Sequence, residues 1–154
     1  MTQSWRIFKT RYAGTAFDGE GARLYGGRWT SPGRPAVYTS ESAALATLEI
    51  LVHVQRYSTL TSYSLVSVSF PASQVTTISS TELPTSWRGS PAPTALQSIG
   101  DQWLDDGTYA VLEVPSAIVP TDHNYILNPT HPEFGTFTFS TPSAFALDPR
   151  LTGA

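Results

Sequence analysis

The sequence predicts an α+β domain of mostly antiparallel strands with a few helices. Three observations carry this. Tyr63–Phe70 alternates Ser with apolar residues and sets Val66, Val68 and Phe70 on one face, the period-two signature of a strand. Residues 42–53 form a stretch that is apolar nearly all round a helix, with Glu49 as the only charged residue in its body. Charged residues make up only 14% of the chain, while Ser, Thr, Pro and Gly are plentiful, which favours strands and long loops over exposed amphipathic helices. The 154 residues suit one domain, 1–154, and a chain of this length buries about two-thirds of its unfolded surface without staples.

The elements follow in order. Residues 5–8 read as a short first strand. Residues 12–35 are glycine-rich and irregular, and loops of that length in compact domains are usually functional. Residues 36–39 read as a second strand. Thr39 or Ser40 can cap a helix over 42–53, with Glu41 in its first turn. That helix is apolar nearly all round, and such a helix is normally buried. Pro71 ends Tyr63–Phe70. Residues 72–93 read mainly as loop, with a short strand at 75–78. A second helix runs over 94–104, with Leu96, Ile99 and Trp103 to one side and Gly107 as its stop. Residues 109–114 form a strand closed by Pro115, and 124–127 and 136–139 add two short ones.

Composition excludes several classes. The net charge is −3, and nine Lys and Arg residues are spread along the chain, so no basic stripe for direct nucleic-acid binding exists. With no cysteine, disulfides and thiolate metal sites are ruled out, which fits a cytoplasmic protein. The N-terminus has no basic region followed by an apolar stretch, and no segment approaches the ~20 apolar residues of a membrane span. His53, His123 and His131 lack metal-ligand spacing, so no metal site is expected.

Four positions carry potential chemistry. Glu49 is the only charged residue in the body of its helix, and a carboxylate there is costly unless paired, hydrogen-bonded or facing a cavity. It reads as a catalytic group or as half of a structural ion pair. His53, four residues on, shares its face. Gly26-Gly27-Arg28-Trp29 sets a flexible pair of glycines against a guanidinium fork and an aromatic ring. Arg28 reads as a phosphate clamp or as a solvated turn residue, and Trp29 as a stacking platform or as core. Tyr38 ends an apolar strand, where tyrosines commonly fill the core and bond through the hydroxyl. Ser116 follows Val114-Pro115, as a turn or cap residue would. Asn128-Pro129 and His131-Pro132 mark rigid turns that can line a pocket. No nucleophile elbow, Walker loop or dinucleotide fingerprint is present.

Taken together, these residues resemble the RES-domain toxins of RES–Xre type II toxin–antitoxin systems, named for an Arg, a Glu and a Ser. The matching positions are Arg28 in Gly26-Gly27-Arg28-Trp29, Glu49 in Leu48-Glu49-Ile50-Leu51-Val52-His53, and Ser116 in Val114-Pro115-Ser116-Ala117. Supporting matches are Phe17-Asp18-Gly19-Glu20-Gly21-Ala22, Val37-Tyr38, Gly100-Asp101-Gln102-Trp103-Leu104 and Asn124-Tyr125-Ile126-Leu127-Asn128-Pro129 followed by His131-Pro132. Thr30 departs from the Asn often found there.

The resemblance implies a fold similar to ADP-ribosyltransferase domains of the diphtheria-toxin type. It implies that NAD is a substrate rather than a cofactor, cleaved at the nicotinamide–ribose bond with water or inorganic phosphate as acceptor. Glu49 would stabilise the ribosyl cation, and Arg28 would hold the pyrophosphate. Tyr38 would pack on nicotinamide, Ser116 would bond ribose or hold Glu49, and Trp29 and Asn128 would add substrate contacts. It implies an Xre-like helix-turn-helix antitoxin that occludes the active site, and it allows a homodimer within that complex. Competing readings are ADP-ribosylation of a protein and a nucleotide-binding module without catalysis.

Overall fold

The computed structural model describes residues 1–53 and 61–153 and contains one mixed sheet. Its strands are β1 (Thr2–Lys9), β2 (Val37–Ser40), β3 (Tyr63–Phe70), β4 (Val75–Thr77), β5 (Val111–Pro115), β6 (His123–Leu127), β7 (Thr138–Phe139) and β8 (Ser143–Phe145). They lie in the order β4-β5-β6-β2-β1-β3-β7, and β8 also pairs with β3. Among the described pairs only β4 and β5 run parallel. The helices are α1 (Glu20–Tyr25), α2 (Ala43–His53), α3 (Thr94–Asp106) and α4 (Pro149–Thr152).

Alternation along the central strands divides the core in two. Leu112, Val114 and Ile126 pack on one face with Trp29, Trp87, Leu96 and Trp103. Val111, Leu127, Val37 and Phe70 pack on the other with Tyr125 and Phe137. A sheet covered on both faces needs strands apolar at successive positions, which is why Val111-Leu112 and Ile126-Leu127 show no clean alternation. α2 lies against β1, where Ala46 meets Ile7 and Tyr63.

Several expectations are corrected. The first strand extends over Thr2–Lys9, because all eight of its residues pair with β3. Within the expected irregular stretch, α1 forms behind Asp18, whose Oδ1 accepts the Glu20 N–H at 2.8 Å. Six residues with a glycine among them leave too little periodicity to read. α2 is not buried all round: Leu45 and Ala46 are buried, but Leu48 is 37% and Val52 61% exposed. α3 runs on to Asp106 before Gly107 stops it. The strand expected at 136–139 is β7 alone, preceded by a 3₁₀ turn over Pro132–Thr136 that the His131 Nδ1 caps. β8 was not anticipated, since three residues give no pattern.

α3 holds the loop after α1. Gln97 Nε2 donates to the carbonyl oxygens of Gly27 (3.1 Å) and Thr30 (3.3 Å). Asp101 accepts from the Ser31 N–H (3.0 Å) and hydroxyl (2.6 Å). Gly100 lies so close that an added Cβ would stand 1.6 Å from the Trp29 carbonyl oxygen. Gly100→Ala therefore forces helix and loop apart. At about 1–3 kcal/mol for overpacking and about 2–4 °C per kcal/mol at this size, its Tm falls by roughly 2–12 °C in a thermal melt. The control Gly135→Ala, whose Cβ meets nothing within 4 Å, melts close to the wild type.

Candidate functional site

The sheet has a seam beside this loop. β1 and β2 share a single pair, Trp5↔Ser40, whereas β1 pairs with β3 along its whole length. A cavity of about 400 Å³ is lined from both sides of the seam, by Trp5, Arg6 and Ile7 of β1 and by Tyr38, Thr39 and Ser40 of β2. Glu49, Val52 and His53 of α2 line it as well, with Gly26, Gly27, Arg28 and Asn124.

Glu49 is half-buried at this cavity. Its Oε1 accepts from the Asn124 Nδ2 at 2.7 Å and the Ser116 hydroxyl at 3.1 Å. Among the described residues no donor reaches Oε2. The ion-pair reading finds no arginine partner among the described residues; polar side chains hold the carboxylate instead. Ser116 is fully buried, and its Oγ accepts the N–H groups of Ile118 (3.1 Å) and Val119 (3.2 Å). It is absent from the cavity lining, so it acts on Glu49 and not on a ligand directly.

Arg28 lines the cavity, yet its Nη1 donates to the carbonyls of Trp87 (3.0 Å) and Gly89 (2.9 Å). The next residue, Arg88, reaches back to the carbonyls of Ala117 (2.9 Å) and Ile118 (3.4 Å). Arg28, the 87–89 turn, the 116–119 turn and Glu49 thus form one connected set of hydrogen bonds. Tyr38 closes the loop from the other side. Its hydroxyl accepts the Trp29 N–H at 3.1 Å and lies 2.8 Å from the Thr30 Oγ1. Burial pushes the Tyr38 phenol up to about 12. A Cβ on Gly27 would come within 2.4 Å of that hydroxyl, so the second glycine of Gly26-Gly27 is required by the tyrosine. Trp29 is 3% exposed and packs among Trp87, Leu96 and Trp103, and it also lines the cavity at the core's edge. Asn128 is not brought to the cavity: its Oδ1 accepts from the Thr130 N–H (3.1 Å) and hydroxyl (2.8 Å) in a local turn.

Sequence reasoning missed Arg6. Its Nη1 donates to the Tyr38 carbonyl at 2.8 Å, bridging the seam. Its Nε is sealed from solvent with no hydrogen-bond partner among the described residues. Burial lowers its pKa to about 10, a drop that nearby Asp18 partly offsets. A charge inside the apolar run Trp5-Arg6-Ile7-Phe8 is the same signal that singled out Glu49. Asn124 and Ser40 were also missed, since a polar residue at a strand end is unremarkable in sequence. The site therefore sets the guanidinium groups of Arg6 and Arg28 and a held carboxylate on one cavity, which suits a ligand with an anionic part and a polar reacting centre.

Because its pKa is lower folded than unfolded, Arg6 costs stability at neutral pH, a cost that fades as pH rises through about 10. Arg6→Met therefore keeps or raises Tm at pH 7 while weakening inorganic pyrophosphate binding about tenfold or more. Thermal melts and calorimetric titration check both halves; a lower Tm with unchanged affinity contradicts the assignment.

Comparison with known proteins places this geometry. Residues 3–148 match the family model described as the RES domain. A protein of Yersinia enterocolitica named "Toxin Res" is 42% identical over 148 residues, covering 96% of this chain and 97% of that protein. The "Prs ADP-ribosylating toxin" of a Sphingobium species is 34% identical, covering 97% of this chain and 96% of its own length. Among solved structures, a chain of the M. tuberculosis MbcT–MbcA toxin–antitoxin complex superposes with a TM-score of 0.75 over 98% of this chain and 86% of that one, at 21% identity, so that match speaks for the fold. With a domain match across nearly its whole length and toxins among its near relatives, the chain belongs to the RES-domain family of toxins.

Proposed function

We propose that this protein is the toxin of a toxin–antitoxin pair and that it consumes NAD by breaking the nicotinamide–ribose bond. The observation that carries the reading is Glu49, held at the cavity by two donors on Oε1, with no donor among the described residues on Oε2.

Cleavage of an N-glycosidic bond builds positive charge at the ribose anomeric carbon while the electron pair leaves with nicotinamide. A fixed carboxylate beside that carbon stabilises the charge, bonds ribose hydroxyls and orients the incoming water or phosphate oxygen. Arg6 binds the pyrophosphate, joined by the guanidinium nitrogens of Arg28 that the 87–89 turn leaves over. The Tyr38 ring stacks against nicotinamide.

A second reading keeps the site and changes the acceptor: the Sphingobium relative is named an ADP-ribosylating toxin, so transfer to a protein side chain is the alternative. Labelled NAD separates the two, since label stays on small products in one case and moves to protein in the other. A binding module without catalysis predicts neither. The antitoxin is expected to be an Xre-like helix-turn-helix protein that covers the cavity. Exposed apolar residues stand ready there: Val52 on the lining, and Leu24 and Tyr25 on α1 just after the lining residues Gly21 and Ala22. The NAD pool places the action in the cytoplasm.

The test is nicotinamide release from NAD by purified protein, with and without inorganic phosphate. Glu49→Gln retains a carbonyl oxygen for both donors and alters only the oxygen toward the cavity. It lowers release by about a hundredfold or more with Tm nearly unchanged. Full turnover by this variant sinks the role of Glu49. No release by folded wild-type protein sinks NAD breakdown.

A further inference from the structure

We propose that Asn124, backed by Ser40, is a positioning residue that fixes the Glu49 carboxylate and directs any proton Glu49 takes up to Oε2. The kinetic consequence rests on the NAD-cleaving reading; the geometry does not.

Ser40 and Asn124 are register partners in the β2–β6 pair, at the end of the seam. The Ser40 hydroxyl donates to the Asn124 Oδ1 at 2.8 Å, which turns the amide nitrogen toward Glu49. A flipped amide would put Oδ1 against a carboxylate oxygen at 2.7 Å, two acceptors in contact. The second donor is equally committed. The Ser116 Oγ takes two backbone N–H groups, so its one proton is left for Glu49. Oε1 thus faces two donors whose orientations are set by other bonds, and a proton placed there would meet their hydrogens. The carboxyl proton belongs on Oε2, to which no described residue donates. Among the described residues, the other titratable groups lining the cavity are Arg6, Asp18, Glu20, Arg28, Tyr38 and His53, and none of them donates to Oε1.

Asn124→Asp tests this with little change of shape. It replaces the donor by a second carboxyl group, which must share a proton with Glu49 as two facing carboxylates do. The expected result is kcat lower by about thirtyfold or more, KM within about threefold, and the acid limb of the pH–rate profile moved up by about one unit. Ser40→Ala, which frees the amide to turn, lowers kcat by roughly three- to tenfold, also without moving KM. Thermal melts confirm that both variants fold. An NMR titration of the Glu49 carboxyl carbon in glutamate-labelled protein reads the same contact without substrate, and its midpoint moves up in Asn124→Asp. Wild-type kcat in Asn124→Asp, a loss carried by KM, or an unmoved titration midpoint overturns the inference. If wild-type protein releases no nicotinamide, the proposed reaction falls, and the titration midpoint alone decides the positioning.

Discussion

One oxygen of Glu49 holds the site together. A carboxylate on a helix of otherwise apolar body is tolerated because Oε1 receives two donors, one from the 116–119 turn and one from the start of β6. Each donor is held by bonds of its own. Ser116 is pinned by two backbone N–H groups, and Asn124 by Ser40. Elements distant in sequence are thereby fastened at one atom, with Oε2 as the oxygen the site has left for chemistry. Preorganisation of this kind keeps a charged group in place before substrate arrives, so no reorganisation is needed when charge develops.

The cavity exists because the sheet is not continuous at its middle. β1 and β2 meet at Trp5↔Ser40 and nowhere else in register, and Arg6 reaches the Tyr38 carbonyl across the seam. On the other side, α3 holds the glycine loop through Gln97, Gly100 and Asp101. The loop in turn carries Arg28 to the 87–89 turn. Arg28, Glu49 and Ser116 are therefore mechanically coupled. Arg28 acts partly through the turn it holds, Ser116 acts through Glu49, and Glu49 meets the cavity. Arg6 adds a buried cation whose Nε has no partner among the described residues, at a cost in stability characteristic of functional sites.

Much of this was legible in the sequence. Tyr63–Phe70 and α3 follow from periodicity, α2 from its capped apolar run, and Glu49 stands out as a lone charge in that run. α1, β7 and β8 were not legible as observed, because elements of two to six residues carry less than two turns or a few alternations of pattern. The exposure of Val52 was hidden because an apolar residue reads alike in a core and at a cavity rim. Trp29 and Asn128 show the opposite limit. Trp29 is almost wholly buried and meets the cavity only from the core, and Asn128 closes a local turn. Arg6 could have been found by the rule that found Glu49. Asn124 could not, since its importance lies in what stands 2.7 Å from it and not in its neighbours along the chain.

The most direct measurement is a crystal structure of the Glu49→Gln protein with NAD bound. The account requires the nicotinamide-side ribose within hydrogen-bond distance of the side chain at position 49, on the face away from Asn124 and Ser116, with the pyrophosphate against Arg6. NAD seated outside the seam between β1 and β2, or bound there with its nicotinamide ribose remote from position 49, would contradict it.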